Sequence, residues 1–281
     1  MCTATAAAQA GKVTPNTSFY CSGKMEYLGT TFKCWYSAGH ATDNLSDAVR
    51  DSCNVYFYNV GKNTGIEQMT KTAKSYGLGE HTGVELSESV GVNATPEYTE
   101  QMGMQWMPGN VLNAAIGQDS HQFTPLQLAN YIATLANGGD HYQAHLLKTV
   151  KNNENNQILY QYEPKVLNRV EMPDDVRRAI FKGMGQVIEA DEITVFRDLE
   201  KSGVKVGCKT GTAQIGNTGL NNTLFVSFAP FNDPEIAICT VVEKNDGDGA
   251  NTAGITADIM EYYFSEDATT ERVASENQLI S

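Results

Sequence analysis

The apolar and polar positions of the first hundred residues predict short helices separated by loops. Residues 1–10 are rich in alanine and precede Gly11, which is typical of the last turns of a helix with a C-terminal glycine. Residues 14–43 mix Pro, Gly, Thr and aromatic residues without helical period, which predicts a loop containing a short hairpin. A helix is predicted over residues 66–76, and residues 81–110 are predicted to be mostly loop.

A break in the helical pattern separates two of these helices. Asn44 is a good N-cap for a helix over residues 45–50. Ser52-Cys53-Asn54 then interrupts the pattern, and residues 55–60 resume it until Gly61. The triplet therefore lies between two helical pieces.

The middle of the chain carries two strong helix starts. Thr124-Pro125-Leu126-Gln127 combines a cap, a proline at the first helical position and the Gln of a capping box. A polar hairpin is predicted with strands near residues 146–150 and 158–162. Pro173 opens a further helix. Its predicted buried face consists of Val176, Ile180, Met184 and Val187.

The last third changes to strand patterns. Residues 204–214, 224–229 and 235–242 read as three antiparallel strands, and a helix over residues 252–264 follows them. The polar tail, 265–281, is predicted to be disordered. The fold class is therefore α+β, a helical subdomain followed by an antiparallel β-sheet covered by helices.

Composition excludes some classes of function. The chain has 281 residues, 41% of them hydrophobic, which suits a soluble globular fold. Its formal net charge of −13 and the lack of a basic run argue against a nucleic-acid partner. No stretch reaches the roughly 18 to 20 apolar residues of a membrane span.

The cysteines and histidines give no metal motif and predict no cofactor. Six cysteines form no Cys-x-x-Cys pair, and most lie in apolar runs. Cys21 and Cys34 flank a Gly-containing segment and are the candidates for a disulfide, which sequence alone leaves open. The five histidines, His40 among them, show no metal-ligand spacing and are read as polar or hydrogen-bonding residues.

Lys209-Thr210-Gly211-Thr212 is the first candidate for chemistry. A lysine on an edge strand places a positive charge beside free backbone groups, and the glycine leaves room for another backbone. Such an edge can take up an extended peptide while the lysine attracts its carboxylate. A lone Lys-Thr-Gly triplet is more typical of a surface turn, and Ser52-Cys53-Asn54 alone is more typical of helix capping.

The order of the two triplets and the segments between them carry a resemblance. The regions in question are 45–57, 76–84 (Tyr-Gly-Leu-Gly and Thr-Gly-Val), 106–109 (Trp-Met-Pro-Gly), 115–118 (Ala-Ile-Gly-Gln), 124–127, 209–213 and 225–230. Together they resemble, from about residue 1 to 264, the transpeptidase domain of penicillin-binding proteins, in its class B, monofunctional, penicillin-binding protein 2-like form. The resemblance implies a β-lactamase/transpeptidase-like fold.

The resemblance also implies roles for individual residues. Ser52 takes part in proton transfer, and Asn54 positions the amide of the substrate. Lys209 and Thr210 hold the terminal carboxylate beside Gly211, and the N–H of Thr212 belongs to the oxyanion hole.

The family's first motif, Ser-x-x-Lys at a helix start, is not recognised in the chain. It would stand just before the helix of residues 1–10, so we expect a partial domain over 1–264 that begins just after the motif lysine and lacks the family's preceding strands. Ser202-Gly203-Val204-Lys205 matches the motif only literally, because it falls on a predicted turn and strand.

The expected function is therefore a D,D-transpeptidase that cross-links peptidoglycan stem peptides through a serine acyl-enzyme, with this chain inactive alone. The resemblance implies β-lactams as ligands, an extracytoplasmic location on a membrane anchor outside this chain, and cell-wall synthesis proteins of the membrane as partners. A non-catalytic pseudo-transpeptidase and a β-lactamase or β-lactam sensor of the same fold are the alternatives.

Overall fold

The computed structural model describes residues 1–216, 218–245 and 250–265. The helices within these residues are α1 (Cys2–Gln9), α2 (Leu45–Arg50), α3 (Asn54–Thr64), α4 (Ile66–Ser75), α5 (Pro96–Gln101), α6 (Asn110–Ala115), α7 (Pro125–Ala136), α8 (Asp174–Ala190), α9 (Arg197–Lys201) and α10 (Ala250–Phe264). The strands are β1 (Phe19–Cys21), β2 (Lys24–Tyr27), β3 (Thr30–Lys33), β4 (Ala41–Asp43), β5 (Asp140–Tyr142), β6 (Thr149–Lys151), β7 (Ile158–Gln161), β8 (Val166–Arg169), β9 (Gly207–Gln214), β10 (Asn221–Ala229) and β11 (Ile236–Asn245).

The helix starts predicted from capping residues are confirmed. The side chain of Asn44 accepts hydrogen bonds from the backbone N–H groups of Ser46 and Asp47 at the start of α2. Thr124 and Gln127 form the complete capping box of α7. In α8, the four residues of the predicted inner face are all buried.

The main sheet is antiparallel, with the strand order β11-β10-β9. Lys209 lies opposite Val226 and Thr210 opposite Phe225. Among the described residues, β9 pairs with β10 and with no other strand. Helix α8 packs against β9, and α10 packs against β10 and β11. These observations confirm the α+β class, a helical part joined to an antiparallel sheet that helices cover. The predicted tail from residue 265 lies outside the described residues, except for Ser265.

Helix α3 is longer than its sequence pattern predicts, since it runs through Gly61 to Thr64. A Cβ on Gly61 would lie 2.2 Å from the Cβ of Ala115, so this glycine lets α6 pack closely against α3. The helix ends instead at Gly65, whose φ is +83°. The prediction of a helix end at Gly61 was wrong because a packing glycine and a capping glycine look alike in sequence.

Two helices of only six residues were missed: α5 lies inside the predicted loop of residues 81–110, and α6 begins at its last residue. Segments of this length show less than two turns of a hydrophobic period, so tertiary contacts decide their conformation. Strands β5 and β8 were also missed, and they pair with each other across a long intervening segment.

Close packing between α2 and α8 holds the predicted site at the end of α2. A Cβ on Gly183 of α8 would lie 2.6 Å from the carbonyl oxygen of Ser46 and 2.7 Å from Cβ of Val49. Leu45, Ala48 and Val49 are buried in the same core. The absence of a side chain at this glycine therefore brings α2 directly onto the helix that supports β9.

Gln127 is a buried polar anchor for the loop before α7. Its Nε2 donates hydrogen bonds of 2.7 Å to the carbonyl oxygens of Glu80 and Val90, and its Oε1 accepts one of 2.9 Å from Thr124 N–H. We expect Gln127→Ala to lower the free energy of unfolding by about 3 kcal/mol, since three backbone groups lose the buried side chain that pairs with them. Urea denaturation measures this, with the exposed neighbour Leu126→Ala as the matched control. Equal effects of the two substitutions would contradict this interpretation.

Candidate active site and its family

Ser52 occupies a strained turn between α2 and α3. Its φ is +53°, in the left-handed region that residues with a side chain adopt at a cost. The next residue, Cys53, donates its backbone N–H to the carbonyl oxygen of Ala48 at 3.1 Å, which closes the C-terminus of α2. Helix α3 then starts at Asn54. The turn directs the Ser52 side chain away from the helices and toward the sheet.

Lys209 on β9 meets this serine. Its Nζ donates a hydrogen bond to Ser52 Oγ and lies 3.5 Å from both the carbonyl oxygen and the Oγ1 of Thr210. Burial lowers the pKa of Lys209, because it disfavours the charged ammonium, while the carboxylates of Asp191 and Asp51 oppose that shift. The two triplets, 157 residues apart, thus share one hydrogen bond.

The side chains of Thr210 and Thr212 are exposed on the same face of β9, because exposure alternates along the strand. Thr210 Oγ1 donates to Asp191 Oδ2 at the end of α8, at 3.3 Å. The carbonyl oxygen of Thr212 accepts a hydrogen bond of 3.1 Å from Gln118 Nε2. The N–H and C=O of one residue point to the same side of an antiparallel strand, so Thr212 N–H faces the side on which Gln118 lies.

Gly211 and Asn54 are the remaining residues of the two triplets, and their surroundings differ. A Cβ on Gly211 would approach Leu224 only to 3.5 Å, an ordinary contact, so no neighbouring backbone crowds this glycine. Asn54 is half-buried, and its Nδ2 donates to the carbonyl oxygen of Lys33 at 3.4 Å. The structure therefore joins Ser52, Lys209 and Thr210 through hydrogen bonds and directs the Asn54 amide toward β3.

Helix α1 begins beside the same group. The Met1 amine is buried, and its pKa is lowered to about 6, mainly by burial and further by the nearby charge of Lys209. The start of a helix carries a positive end of the backbone dipole. The charge of Lys209 therefore acts on the N-terminal end of α1.

Comparison with known proteins decides the family. A family profile described as "Penicillin binding protein transpeptidase domain" matches residues 1–261. The chain belongs to this family. It is a class B, penicillin-binding protein 2-like transpeptidase domain, as the sequence resemblance implied.

Named relatives agree with this assignment. The peptidoglycan D,D-transpeptidase MrdA of Haemophilus influenzae is 28% identical over 94% of this chain and 43% of its own length. MrdA of Acinetobacter baumannii is 31% identical over 83% of this chain and 36% of its own length. The transpeptidase domain described here thus spans about two fifths of the curated relatives it matches.

Solved structures share the fold. Pseudomonas aeruginosa PBP2 in complex with WCK 5153 superposes with a TM-score of 0.80 at 28% identity, covering 94% of this chain and 60% of that one. Helicobacter pylori PBP2 in complex with MreC gives 0.77 at 28% identity, covering 94% and 48%. Among the described residues of the present domain, no helix is long and apolar enough to cross a membrane.

A second group of reactive side chains lies directly behind the Ser52 turn. Cys21, Cys34, His40 and Cys53, called here the thiol–imidazole cluster, each offer one ligand atom, and these atoms lie within 4.8 Å of one another. Cys34 Sγ and His40 Nδ1 are 3.6 Å apart. The Cys21–Cys34 disulfide, which the sequence left open, is not formed, since all six cysteines are free.

The sequence interpretation missed this cluster and named no metal residues. Its members come from the ends of β1 and β3, the following loop and the start of α3, so their spacing follows no Cys-x-x-Cys rule. A usable signal was the density of ligand-type residues, three cysteines and a histidine between positions 21 and 53. His40 contacts Cys34 at hydrogen-bond distance, which agrees with its interpretation as a hydrogen-bonding residue, and it also lies among three sulfurs.

The surroundings of the cluster favour negative charge on sulfur. Backbone N–H groups of Tyr36, Asn54 and Val55 point to Cys34. The side-chain hydrogen bond between Cys34 and Cys53 lowers the pKa of Cys34. The same hydrogen bond and burial raise the pKa of Cys53, so Cys53 keeps its proton more tightly than Cys34 does. The first-turn amides of α3 thus supply positive partial charge to a sulfur.

Two buried polar atoms beside the cluster have no partner among the described residues. They are Asp43 Oδ2 and His40 Nε2. Asp43 is only 3% exposed, and burial raises the pKa of its carboxyl group, while Cys53 and His40 oppose the shift. A buried carboxylate beside three thiols is a strongly electron-rich environment that a cation would stabilise.

The strained turn gives a prediction on stability. Ser52→Gly and Ser52→Ala both remove the hydroxyl group, but only glycine adopts φ +53° without strain. We expect the glycine variant to be more stable than the alanine variant by about 0.5–1 kcal/mol, after allowing for the greater chain entropy of unfolded glycine. Urea unfolding of the two variants measures the difference, and an alanine variant of equal or higher stability would contradict the left-handed turn.

Proposed function

We propose that this domain supplies the substrate-holding part of a D,D-transpeptidase site for peptidoglycan stem peptides. The observation that carries the proposal is the hydrogen bond between Lys209 and Ser52, beside the open edge of β9. An open strand edge takes up an extended peptide, and a cation at that edge favours a peptide that ends in a carboxylate.

The proposed reaction is acyl transfer to and from a serine. Attack on the penultimate D-Ala carbonyl expels the terminal D-Ala, and an amine of a second stem peptide then takes the acyl group. Lys209 and Thr210 hold the terminal carboxylate, and Gly211 leaves room for the incoming backbone. The Thr212 N–H stabilises the oxyanion.

Proton transfer is assigned to the Ser52–Lys209 pair. Ser52 Oγ passes a proton between the nucleophile and the leaving amine, and the hydrogen bond from Lys209 holds the hydroxyl in place. The lowered pKa of Lys209 favours exchange of a proton at this position. Asn54 orients the side-chain amide of the substrate after the Asn54 side chain turns away from the carbonyl oxygen of Lys33.

We propose that the nucleophilic serine and its lysine are those of the family's first motif, a Ser-x-x-Lys at a helix start, and that they act beside Lys209. β-Lactams would acylate that serine. We propose that the isolated chain is inactive, because no Ser-x-x-Lys helix start is found among its described residues. We also propose, from the family resemblance, an extracytoplasmic location on a membrane anchor. Cell-wall synthesis proteins are proposed as partners, since PBP2 of Helicobacter pylori was solved in complex with MreC.

Fluorescent penicillin labelling tests this function. The isolated chain should remain unlabelled, whereas a chain extended by the in-frame sequence upstream of Met1 should be labelled at one serine. In the extended chain Lys209→Ala should slow labelling by roughly 100-fold or more. The matched control is Lys205→Ala, an exposed lysine just before β9.

Other outcomes support the alternatives. Stoichiometric labelling of the isolated chain would overturn the proposed position of the nucleophile. An upstream frame without Ser-x-x-Lys would favour a pseudo-transpeptidase binding module. Rapid turnover of penicillin by the extended chain would favour a β-lactamase, and a stable adduct without transpeptidation would favour a β-lactam sensor.

We also propose that the thiol–imidazole cluster binds one zinc ion with a structural role. Three thiolates and an imidazole are a frequent zinc ligand set. Tetrahedral zinc with Zn–S bonds of about 2.3 Å separates its sulfurs by about 3.8 Å, which the observed spread of up to 4.8 Å reaches with a small contraction. The Asp43 carboxyl group, whose Oδ2 has no partner among the described residues, lies close by.

Metal analysis tests the zinc site. The purified, reduced chain should hold one zinc ion per molecule, and Co²⁺ substitution should produce thiolate-to-cobalt charge-transfer absorption. His40→Ala should lower zinc affinity at least tenfold. Cys239→Ala, a half-buried cysteine outside the cluster, should leave it unchanged. A chain without zinc, or equal affinities for the two variants, would contradict the assignment.

A further inference from the structure

Two side chains from the helical part contact the open edge of β9. Gln118 Nε2 donates a hydrogen bond of 3.1 Å to the carbonyl oxygen of Thr212. Asp191 Oδ2 accepts a hydrogen bond of 3.3 Å from Thr210 Oγ1. Both contacts are made to residues that the proposed function assigns to the substrate. The chain itself therefore supplies one donor and one acceptor at the proposed peptide site.

The Gln118 amide takes the place of a peptide N–H. In an antiparallel ladder, the N–H and C=O of one residue can pair with the same residue of the added strand. The proposed function assigns Thr212 N–H to the carbonyl oxygen of the penultimate D-Ala, so the N–H of that D-Ala donates to the Thr212 carbonyl oxygen. Gln118 Nε2 already donates to this oxygen from the open side of β9, where the added strand would lie.

The backbone of Gln118 is fixed at the end of α6, so its side chain can move aside while the loop keeps its place. Gln118 N–H donates to the carbonyl oxygen of Asn113 at 3.0 Å, and Gly117 N–H donates to that of Ala114 at 3.0 Å. With Gly117 at φ +83°, this is the Schellman arrangement of a helix end. Rotation of the Gln118 side chain alone therefore releases Thr212.

The Asp191 carboxylate takes the place of the peptide carboxylate. Its charge acts on Lys209 and its Oδ2 holds the Thr210 hydroxyl, and these two groups are the ones proposed to hold the terminal carboxylate. Asp191 follows the last residue of α8, where the negative end of the backbone dipole disfavours an acidic side chain. The contacts with β9 offset that cost, and they also cause Asp191 to repel a second carboxylate at the same groups.

We propose that Gln118 and Asp191 form a latch, a pair of side chains that occupies the edge of β9 and must leave it before a stem peptide binds. The inference rests on the proposed function, because it names what the peptide displaces. Gln118 competes with the peptide backbone, whereas Asp191 competes with the terminal carboxylate. Both hydrogen bonds are exposed to solvent, so each should weaken peptide binding by only about two- to tenfold.

Loss of the Gln118 amide should strengthen binding through the peptide backbone. In a ¹⁵N NMR titration with a stem pentapeptide ending in D-Ala-D-Ala, Gln118→Ala should tighten binding about threefold. The gain should vanish with an analogue in which D-lactate replaces the penultimate D-Ala, because its ester has no N–H to donate to Thr212. The matched control is Gln157→Ala, an exposed glutamine between β6 and β7, which should leave both affinities unchanged.

Loss of the Asp191 charge should act on the carboxylate end of the peptide alone. Asp191→Asn keeps an acceptor for the Thr210 hydroxyl, and it should tighten binding of the carboxylate peptide about three- to tenfold. Binding of the same peptide ending in a carboxamide should change less than about twofold. Glu192→Gln removes one charge from the next residue, which is also exposed, and should not reproduce this selectivity. Circular dichroism checks that each variant is folded.

The outcomes separate the latch from the proposed function. If the wild-type chain binds the peptide at the amides of β9 but neither variant binds it more tightly, the latch is wrong and the peptide site stands. A Gln118→Ala gain that persists with the ester analogue, or an Asp191→Asn gain shared by the carboxamide, would overturn that half of the latch. If neither the wild-type chain nor the double variant shifts these amides, the peptide site and the latch both fail.

Discussion

The turn at Ser52-Cys53-Asn54 is the constraint on which the rest of the site depends. One residue in the left-handed region, Ser52 at φ +53°, reverses the chain between α2 and α3. Because of this reversal, three consecutive side chains leave in three directions, toward Lys209, toward the thiol–imidazole cluster and toward the end of β3. Strain of this kind persists only when the surrounding structure over-determines it. The close packing of α2 on α8 and the backbone hydrogen bonds of α3 supply that support.

The sheet supplies the other half of the site through its free edge. Pairing with β10 on one side fixes the register of β9, and the alternation along the strand then directs Thr210 and Thr212 outward. Asp191 and Gln118 contact these threonines from α8 and from the loop after α6. Each contact crosses from the helical part to the sheet, so the site is formed by the docking of the two parts.

Much of the fold could be predicted from local chemistry, and much of the site from the order of two triplets. Capping residues such as Asn44 and Thr124 determine helix starts locally, and they were predicted correctly. Gly61 was misread because its role depends on Ala115, which is distant in sequence. The thiol–imidazole cluster was missed for the same reason, since four separate segments assemble it. The roles assigned to Ser52, Asn54, Lys209, Thr210, Gly211 and Thr212 remain predictions.

The central claim is that β9 binds the carboxylate end of a stem peptide beside Ser52 and Lys209. Its most direct test is a ¹⁵N NMR titration of the isolated chain with a stem pentapeptide ending in D-Ala-D-Ala, compared with the same peptide ending in a carboxamide. The account predicts saturable shifts of the Thr210, Gly211 and Thr212 amides with the carboxylate peptide, and binding at least tenfold weaker with the carboxamide. Equal binding of the two peptides, or shifts confined to residues away from β9, would contradict it.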